Sequence, residues 1–286
     1  MPSTILVTGA TGTVSTATLR ALSARTNITI RAGVLPGAPP TDALTLPSIT
    51  SVDFDFSNPA TFRAALDDVD ALFLLTPFTE DQVTLGARFL EAVRASGVRH
   101  IVKLSASVGG DIQVGRWHQT LERHAAETGI PLTILRASFF FQNFINYYPP
   151  QADGAIYLPW GNGRASFVDA RDIGEVAATL LLAGGDGNRS YRLTGPAAVG
   201  AADIAAAIGN VSNRNIRYVD VPDHSARAAM SNVGLPGWMV DAMMGLNAAL
   251  KAGSEGEVTF DVERLLGRAA RDLATFASDH AGAWKV

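Results

Sequence analysis

The stretch Ile5-Leu6-Val7-Thr8-Gly9-Ala10-Thr11-Gly12-Thr13-Val14-Ser15 decides how this chain is read. A short apolar run rich in β-branched residues leads into two glycines three apart, and an alanine-rich helical pattern follows. Strand, glycine turn and helix in that order bring backbone N–H groups and a helix N-terminus to face a pyrophosphate. Ser15 stands where the third glycine of the dinucleotide fingerprint belongs, a position that needs only a small residue where helix meets strand. Gly9, Thr11, Gly12, Thr13 and Val14 are the candidate pyrophosphate contacts. The competing reading is a glycine turn that merely links strand to helix.

Strand-like and helix-like segments alternate from this turn onward. Strands are expected at Thr4–Thr8, Ile28–Ala32, Ile49–Phe54, Ala71–Leu75, His100–Leu104 and Pro131–Leu135. Helices are expected at Val14–Ala24, Pro59–Leu66, Gln82–Ser96 and Trp117–Thr128. Pro59 suits a first helical turn with Ser57 and Asn58 as caps, and Gly97 and Gly129 suit helix ends. The alternation predicts an α/β fold, a doubly wound Rossmann-type parallel sheet with right-handed crossovers and a ligand crevice beyond the strand C-termini. Pro149-Pro150 and Asp153-Gly154 then break the pattern. The expected division is an NAD(P)-binding core over residues 1–150 and a smaller, mostly helical substrate lobe over 151–286. Phe167–Asp169, a helix Asp172–Leu182 and a strand Ser190–Leu193 return to the core, and one further strand falls at Ile216–Val219.

Composition narrows the function classes. With 47% hydrophobic and 17% charged residues over 286 positions, the chain is globular. A net charge of -4 and a pI near 5.7 give no reason to expect nucleic acid or an anionic membrane as partner. No cysteine is present, so disulfides, thiolate metal sites and a cysteine nucleophile are excluded. His100, His124, His224 and His280 have no metal-like spacing, and no metal site is expected. Gly-x-Ser-x-Gly is absent, which counts against an α/β-hydrolase. No apolar run approaches the roughly 20 residues that span a bilayer, so a soluble, cytoplasmic protein is expected, as monomer or homodimer.

Several further motifs, taken in order, carry a family resemblance. They are Thr8-Gly9-Ala10-Thr11-Gly12, Ile30-Arg31-Ala32, Phe54-Asp55, His118 with Glu122, Leu135-Arg136, Phe141-Gln142-Asn143, Phe167-Val168-Asp169 with Arg171-Asp172-Ile173, and Leu193-Thr194-Gly195-Pro196. The chain resembles the NmrA-like branch of the atypical short-chain dehydrogenase/reductases. The motifs lie between residues 5 and 196, and the remainder is compatible with that family's variable substrate lobe. The resemblance implies either an NAD(P)H-dependent reductase of quinones, dyes or iminium compounds, or a nucleotide-binding sensor that catalyses nothing known.

The end of the second strand decides between NAD and NADP: a carboxylate there holds the ribose 2′-OH, and an arginine accommodates a 2′-phosphate. Ile28-Thr29-Ile30-Arg31-Ala32-Gly33-Val34-Leu35 offers no carboxylate, which favours NADP(H) over NAD(H). Arg31 either reaches the phosphate or is a strand-end surface charge. Relatives that bind NADP carry a second arginine four residues later, where this chain has Leu35. The resemblance also puts Phe54 and Asp55 at the adenine, although Asp55 equally suits a loop cap. Leu75, Thr76 and Pro77 end the fourth strand on the ribose side, and Ser105 ends the fifth near the nicotinamide ribose.

The helix after the fifth strand has no Tyr-x-x-x-Lys pair. His118 takes the register at which the related isoflavone and lignan reductases present a lysine acid/base, and histidine titrates near neutrality. Its readings are proton transfer, contact with cofactor or substrate, or scaffolding. Glu122, one turn later, either orients His118 or forms an ordinary i,i+4 pair. Ser105 is a candidate hydrogen-bond donor to a substrate oxygen. Phe139, Phe140, Asn143 and Trp160 are the candidate substrate wall, with core packing as the competing account. The leading expectation is hydride reduction of a small conjugated or aromatic electrophile, a quinone, enone or iminium. The alternatives are a catalytically silent redox sensor acting through a protein partner, and a non-redox isomerase or cyclase on the same fold.

Overall fold

The computed structural model describes residues 4–185 and 187–285. The first part of the chain runs β1 (Thr4–Val7), α1 (Thr13–Ser23), β2 (Thr29–Val34), β3 (Ile49–Asp53), α2 (Phe62–Leu66) and β4 (Ala71–Leu74). It continues through α3 (Gln82–Arg94), β5 (His100–Ala106), α4 (Gln113–Glu127), β6 (Leu132–Ala137) and a short α5 (Asn143–Asn146). Then come β7 (Ala155–Leu158), β8 (Arg164–Ala165), α6 (Ala170–Ala183), β9 (Arg189–Leu193), β10 (Val199–Gly200), α7 (Ala201–Ser212) and β11 (Arg217–Asp220). Four helices close the chain: α8 (Asp223–Asn232), α9 (Gly237–Lys251), α10 (Asp261–Leu266) and α11 (Leu273–Asp279).

Seven strands form one parallel sheet in the order β3-β2-β1-β4-β5-β6-β9. The pleat sends alternate residues to opposite faces. Ile5 and Val7 therefore pack with Leu19 and Leu22 of α1 and Ile173 of α6, whereas Leu6 packs with Phe54 and with Phe89 of α3. Both faces are covered, so β1 and β4 are buried along their whole length. Each such leucine or isoleucine contributes roughly 1.5–3 kcal/mol. The chain leaves β1 toward β2 on one side and later places β4 on the other, and this reversal opens the ligand crevice.

Three elements differ from the sequence expectation. Helix α4 begins at Gln113, one turn before Trp117, which puts Trp117 and His118 inside the helix rather than at its start. The segment at Pro59 opens as a 3-10 turn over Pro59–Thr61, N-capped as expected by Asn58, whose side chain accepts from the Ala60 N–H, and the α-helix proper begins only at Phe62. Phe167–Asp169 returns to the core, where Val168 is buried, but through a single bridge from Val168 to Phe140 rather than as a strand, and Asp169 caps α6 by accepting from the Arg171 N–H. The small lobe also holds more strand than expected, with β11 paired to β7 in parallel and β10 to β8 antiparallel. Its own core is aromatic, with Phe141, Phe144, Trp160, Phe167, Phe276 and Trp284 all buried. Among the described residues no helix is long and apolar enough to cross a membrane.

Helix α6 reaches α1 through Gly174, where a Cβ would stand 2.6 Å from the Ala17 carbonyl carbon and 2.7 Å from the Thr18 nitrogen. Backbone cannot give way as a flexible side chain does. Gly174→Ala is expected to cost about 1–3 kcal/mol by overpacking, read as an earlier midpoint in urea unfolding with an unchanged slope.

Candidate active site

The glycine turn is built against the ends of three strands. Gly9 has a φ of +59°, a conformation costly for other residues, and a Cβ there would come within 3.0 Å of Leu75. Ala10 donates to the Gly33 carbonyl at 3.2 Å, which seats the turn on β2. The Thr8 hydroxyl accepts from the Leu75 N–H at 2.9 Å and donates to the Leu75 carbonyl at 3.0 Å, stitching the end of β1 to that of β4. Gly12 is the N-cap of α1 and offers no side chain to its first-turn N–H groups. Those donors, at Thr13 and Val14, have no helical acceptor, and the bare glycines let an anion approach them. This cradle fits a dinucleotide diphosphate. Ser15, fully buried, sends its hydroxyl back to the Thr8 carbonyl at 2.8 Å, so the departure from glycine is accommodated by a hydrogen bond to β1. Thr11 is exposed at the rim, and Asn146 of α5 reaches over the turn to the Thr13 hydroxyl at 3.2 Å.

At the ends of β2 and β3 the structure corrects two expectations. Arg31 neither reaches the rim nor stands as a loose surface charge: its guanidinium donates to the carbonyls of Ala64, Ala65 and Asp67 and so closes the end of α2. A helix C-terminus carries unpaired carbonyls and partial negative charge, which explains the capture. Leu35 is exposed at the position beyond β2. Phe54 is buried in a cluster with Phe56, Phe62 and Phe89, so its ring serves the core instead of an adenine. Asp55 accepts from both the N–H and the hydroxyl of Ser57 at 2.7 Å, holding its own loop. Thr76 and Pro77 are half-buried just beyond β4.

The C-terminal halves of β5 and β6 carry a charged cluster under α4. Ser105 and Arg136 are register partners on adjacent strands. Both bind Glu122: the serine donates to Oε1 at 2.6 Å, and the guanidinium donates Nε to Oε1 at 3.1 Å and Nη2 to Oε2 at 2.6 Å. Glu122 thus has both oxygens committed and does not orient His118, and Ser105 spends its proton on Glu122. Burial pushes the Glu122 carboxyl up, but the Arg136 and Ser105 hydrogen bonds and the charges of Arg136 and Lys103 outweigh it and hold the group below its ordinary value.

Lys103, which escaped the sequence reading, is fully buried on β5. Among the described residues its ammonium donates one hydrogen bond, to the Leu104 carbonyl at 3.0 Å. Burial lowers its pKa to about 8, with Glu122 opposing and Arg136 adding to the fall. The imidazole of His118 is lowered to about 3, first by burial and then by the charge of Lys103. Titration near neutrality is therefore not a property of this histidine. Its Nδ1 is buried without a hydrogen-bond partner among the described residues. The available signal for Lys103 was a charge inside the apolar run Ile101-Val102-Lys103-Leu104.

Beyond the same strand ends stands an aromatic group the sequence reading also missed. Phe78 after β4, Trp117 of α4 and Trp238 of α9 lie 5.7–6.0 Å apart, ring centre to ring centre. Phe139 is half-buried between this region and the small-lobe core, near Val108, Val114 and Ala242. Phe140 packs toward the main core, and Asn143 is half-buried at the start of α5. Trp160 is not a wall residue: it is 2% exposed, ringed by Phe144, Tyr148 and Phe167, and its indole N–H donates to Asn247 at 2.8 Å.

The model of the NmrA-like family matches residues 1–275. The chain belongs to the NmrA-like family. It is 34% identical over 284 residues to an NAD(P)H azoreductase from Xenophilus azovorans, covering 98% of this chain and 99% of that protein. The crystal structure of an NADPH-dependent quinone oxidoreductase from Escherichia coli, complexed with NADPH, matches at a TM-score of 0.83 and 23% identity, covering 96% of this chain and 99% of that one. A triphenylmethane reductase from Citrobacter sp., complexed with NADP(H), matches at 0.80 and 22%, covering 97% and 99%. These two structures share the fold described above.

Two outcomes are expected for the charged cluster of this NmrA-like chain. Glu122 is depressed when folded, so its contribution is complete above its ordinary value of 4.5 and is lost as pH falls through the lower folded value. Glu122→Gln should flatten that acid limb and cost about 1–3 kcal/mol at neutral pH, seen by denaturant unfolding across pH. His118 lies below its unfolded value of 6.5, so it favours the folded state above 6.5 and disfavours it progressively down to about 3. Its ring resonances should stay fixed between about pH 8 and about pH 5 in an NMR titration.

Proposed function

We propose that this chain is an NAD(P)H-dependent reductase, with NADP(H) favoured, acting on a small flat conjugated or aromatic electrophile such as a quinone, enone or iminium. The observation that carries the reading is the shared edge: the glycine cradle and the aromatic group of Phe78, Trp117 and Trp238 both stand beyond the C-terminal ends of one sheet. Two relatives, an NAD(P)H azoreductase and a quinone oxidoreductase, support the same reaction type.

Bound nicotinamide nucleotide supplies the hydride. The residues of the chain supply position and surroundings. First-turn N–H groups at Thr13 and Val14 hold the diphosphate, with Gly9 and Gly12 keeping side chains out of its way. Residues 33–38 contain no carboxylate that would hold a ribose 2′-OH, which favours NADP(H), and the exposed Leu35 would offer a 2′-phosphate no charged partner. Phe139, Trp117 and Phe78 offer faces for a planar acceptor and exclude water. His118, neutral at physiological pH, acts as a hydrogen-bond donor to the carbonyl oxygen of a quinone or enone acceptor rather than as an acid of its own.

A thermal-shift comparison of NADPH, NADP+, NADH and NAD+ tests the nucleotide, since about 100-fold excess over Kd stabilises by about 2.7 kcal/mol. Gly12→Val should abolish the shift and cost about 1 kcal/mol in unfolding without nucleotide, because a Cβ there stands 3.2 Å from the Gly9 carbonyl oxygen and valine is a poor N-cap. Loss of cofactor absorbance with quinone, azo-dye and iminium acceptors tests the reaction. No shift with any nucleotide, or binding with no consumption against all three acceptor classes, overturns the reading. Leu35→Arg should tighten NADP+ binding about tenfold by a bidentate phosphate contact and leave NAD+ unchanged, as measured by calorimetry.

A further inference from the structure

A second carboxylate repeats, one strand further along the sheet, the arrangement built around Glu122. Ser105, Arg136 and Arg192 are register partners in a row across β5, β6 and β9. Ser107 lies two residues after Ser105, so its side chain takes the same face of the sheet. Glu255, 3% exposed in the loop between α9 and α10, accepts from the Ser107 hydroxyl and from Arg192 Nη2 at 3.3 Å. A buried carboxylate needs a counter-ion, and Arg192 meets that need. The bond to Ser107 is additional. It runs from the small lobe to the end of β5, where the candidate site lies.

The loop that carries Glu255 is itself fixed. The Glu255 carbonyl accepts from the Ser166 N–H at 2.9 Å and from the Ser166 hydroxyl at 3.1 Å. Thr259 donates its N–H to the Thr194 hydroxyl at 3.0 Å and its own hydroxyl to the Arg192 carbonyl. On the other side of this post hangs the loop 107–112. Its far end is held by Arg116, which donates to the Asp111 carbonyl at 2.8 Å. Its near end is held by the Ser107 N–H on the Ala137 carbonyl at 3.0 Å and by the Ser107 hydroxyl on Glu255. Val108 of this loop is buried with Val114 and Ala242, and Ile112, Trp117 and Phe139 pack around them. Helix α9 lies directly on the loop: a Cβ on Gly245 would stand 3.7 Å from Ile112 Cβ.

We propose that Glu255 is a positioning residue for the acceptor, which through Ser107 sets the separation of the loop 107–112 from α9 and so the fit of a planar ring between them. This role rests on the reductase reading and adds to it a determinant of acceptor binding. The committed hydroxyl is the feature that decides it. Ser107 gives its proton to Glu255 as Ser105 gives its own to Glu122, so each serine acts by holding an element in place. Glu122 fixes α4 on the sheet, and Glu255 fixes the loop after β5 against the small lobe. The bonds that seat the nucleotide cradle join the ends of β1, β2 and β4 and include no member of this second cluster. Nucleotide affinity is therefore independent of Glu255.

Steady-state reduction of naphthoquinone at saturating NADPH tests this role, with an azo dye or iminium in its place if that is the class reduced. Ser107→Ala removes the tie and leaves Glu255 paired with Arg192, so folding should survive. KM for the acceptor should rise about tenfold, the scale of one lost charge-assisted hydrogen bond, with kcat within about twofold of wild type. NADP+ affinity, measured by calorimetry, should not change. Glu255→Gln should raise KM to a similar degree, and Arg192 then keeps Glu257 at 3.2 Å as its counter-ion. The double variant should rise no further, because both changes remove the same tie. If Glu255→Gln does not fold, Ser107→Ala alone decides the question. Wild-type KM in Ser107→Ala, additive effects in the double variant, or kcat and NADP+ affinity falling together with KM overturns the proposal. A chain that binds nucleotide yet reduces no acceptor overturns the reductase reading and the proposal with it, a result distinct from an active enzyme indifferent to Ser107.

Discussion

The carboxylate of Glu122 holds together the parts that make a site. It accepts from Ser105 on β5 and from Arg136 on β6, so one helix is tied at a single point to two neighbouring strands. Such a bond fixes both the height and the axial rotation of α4. Trp117 and His118, a turn toward the helix N-terminus, are carried to the strand ends by that constraint. Charge-assisted hydrogen bonds of this kind are directional, which apolar packing is not. Leu121 and Ala125 bury the same helix face, but they would tolerate a small rotation that the carboxylate forbids.

The same bond reshapes the electrostatics around it. By satisfying Glu122 through Arg136, the fold leaves Lys103 without a contact anion and keeps its charge close to His118. Burial keeps the imidazole of His118 uncharged at neutral pH and brings the Lys103 ammonium down to about 8. Roles move between residues because burial and neighbours set them.

What could be read from the sequence follows from the range of the forces involved. The glycine turn is local: strand propensity, two glycines and a helical pattern are contiguous, and Gly9 needs its left-handed conformation whatever packs around it. The parallel, two-faced sheet follows from segments whose alternation is visible along the chain. Arg31 shows the limit, since its partners at residues 64, 65 and 67 lie more than thirty positions away. Phe54 and Trp160 misled for a related reason: an aromatic ring near a turn looks like a ligand contact until the core that covers it is assembled. Phe78, Trp117 and Trp238 come from three distant elements, and only the crossing of α9 over α4 brings them together.

The seventh strand has a consequence for how the molecule is made. β9 completes the sheet beside β6, and α6 completes the groove on α1, yet both are encoded after β7 and β8 of the small lobe. During synthesis, the first 150 residues emerge as six strands with a bare parallel edge at β6 and an apolar helix face still open. At roughly 5–20 residues per second, that exposed edge persists for several seconds before residue 193 is added. An unpaired edge is a template for pairing with another chain. The nascent protein is therefore most prone to association while its nucleotide turn is already complete, and a nucleotide captured at that stage would act on a half-built sheet as a folding ligand.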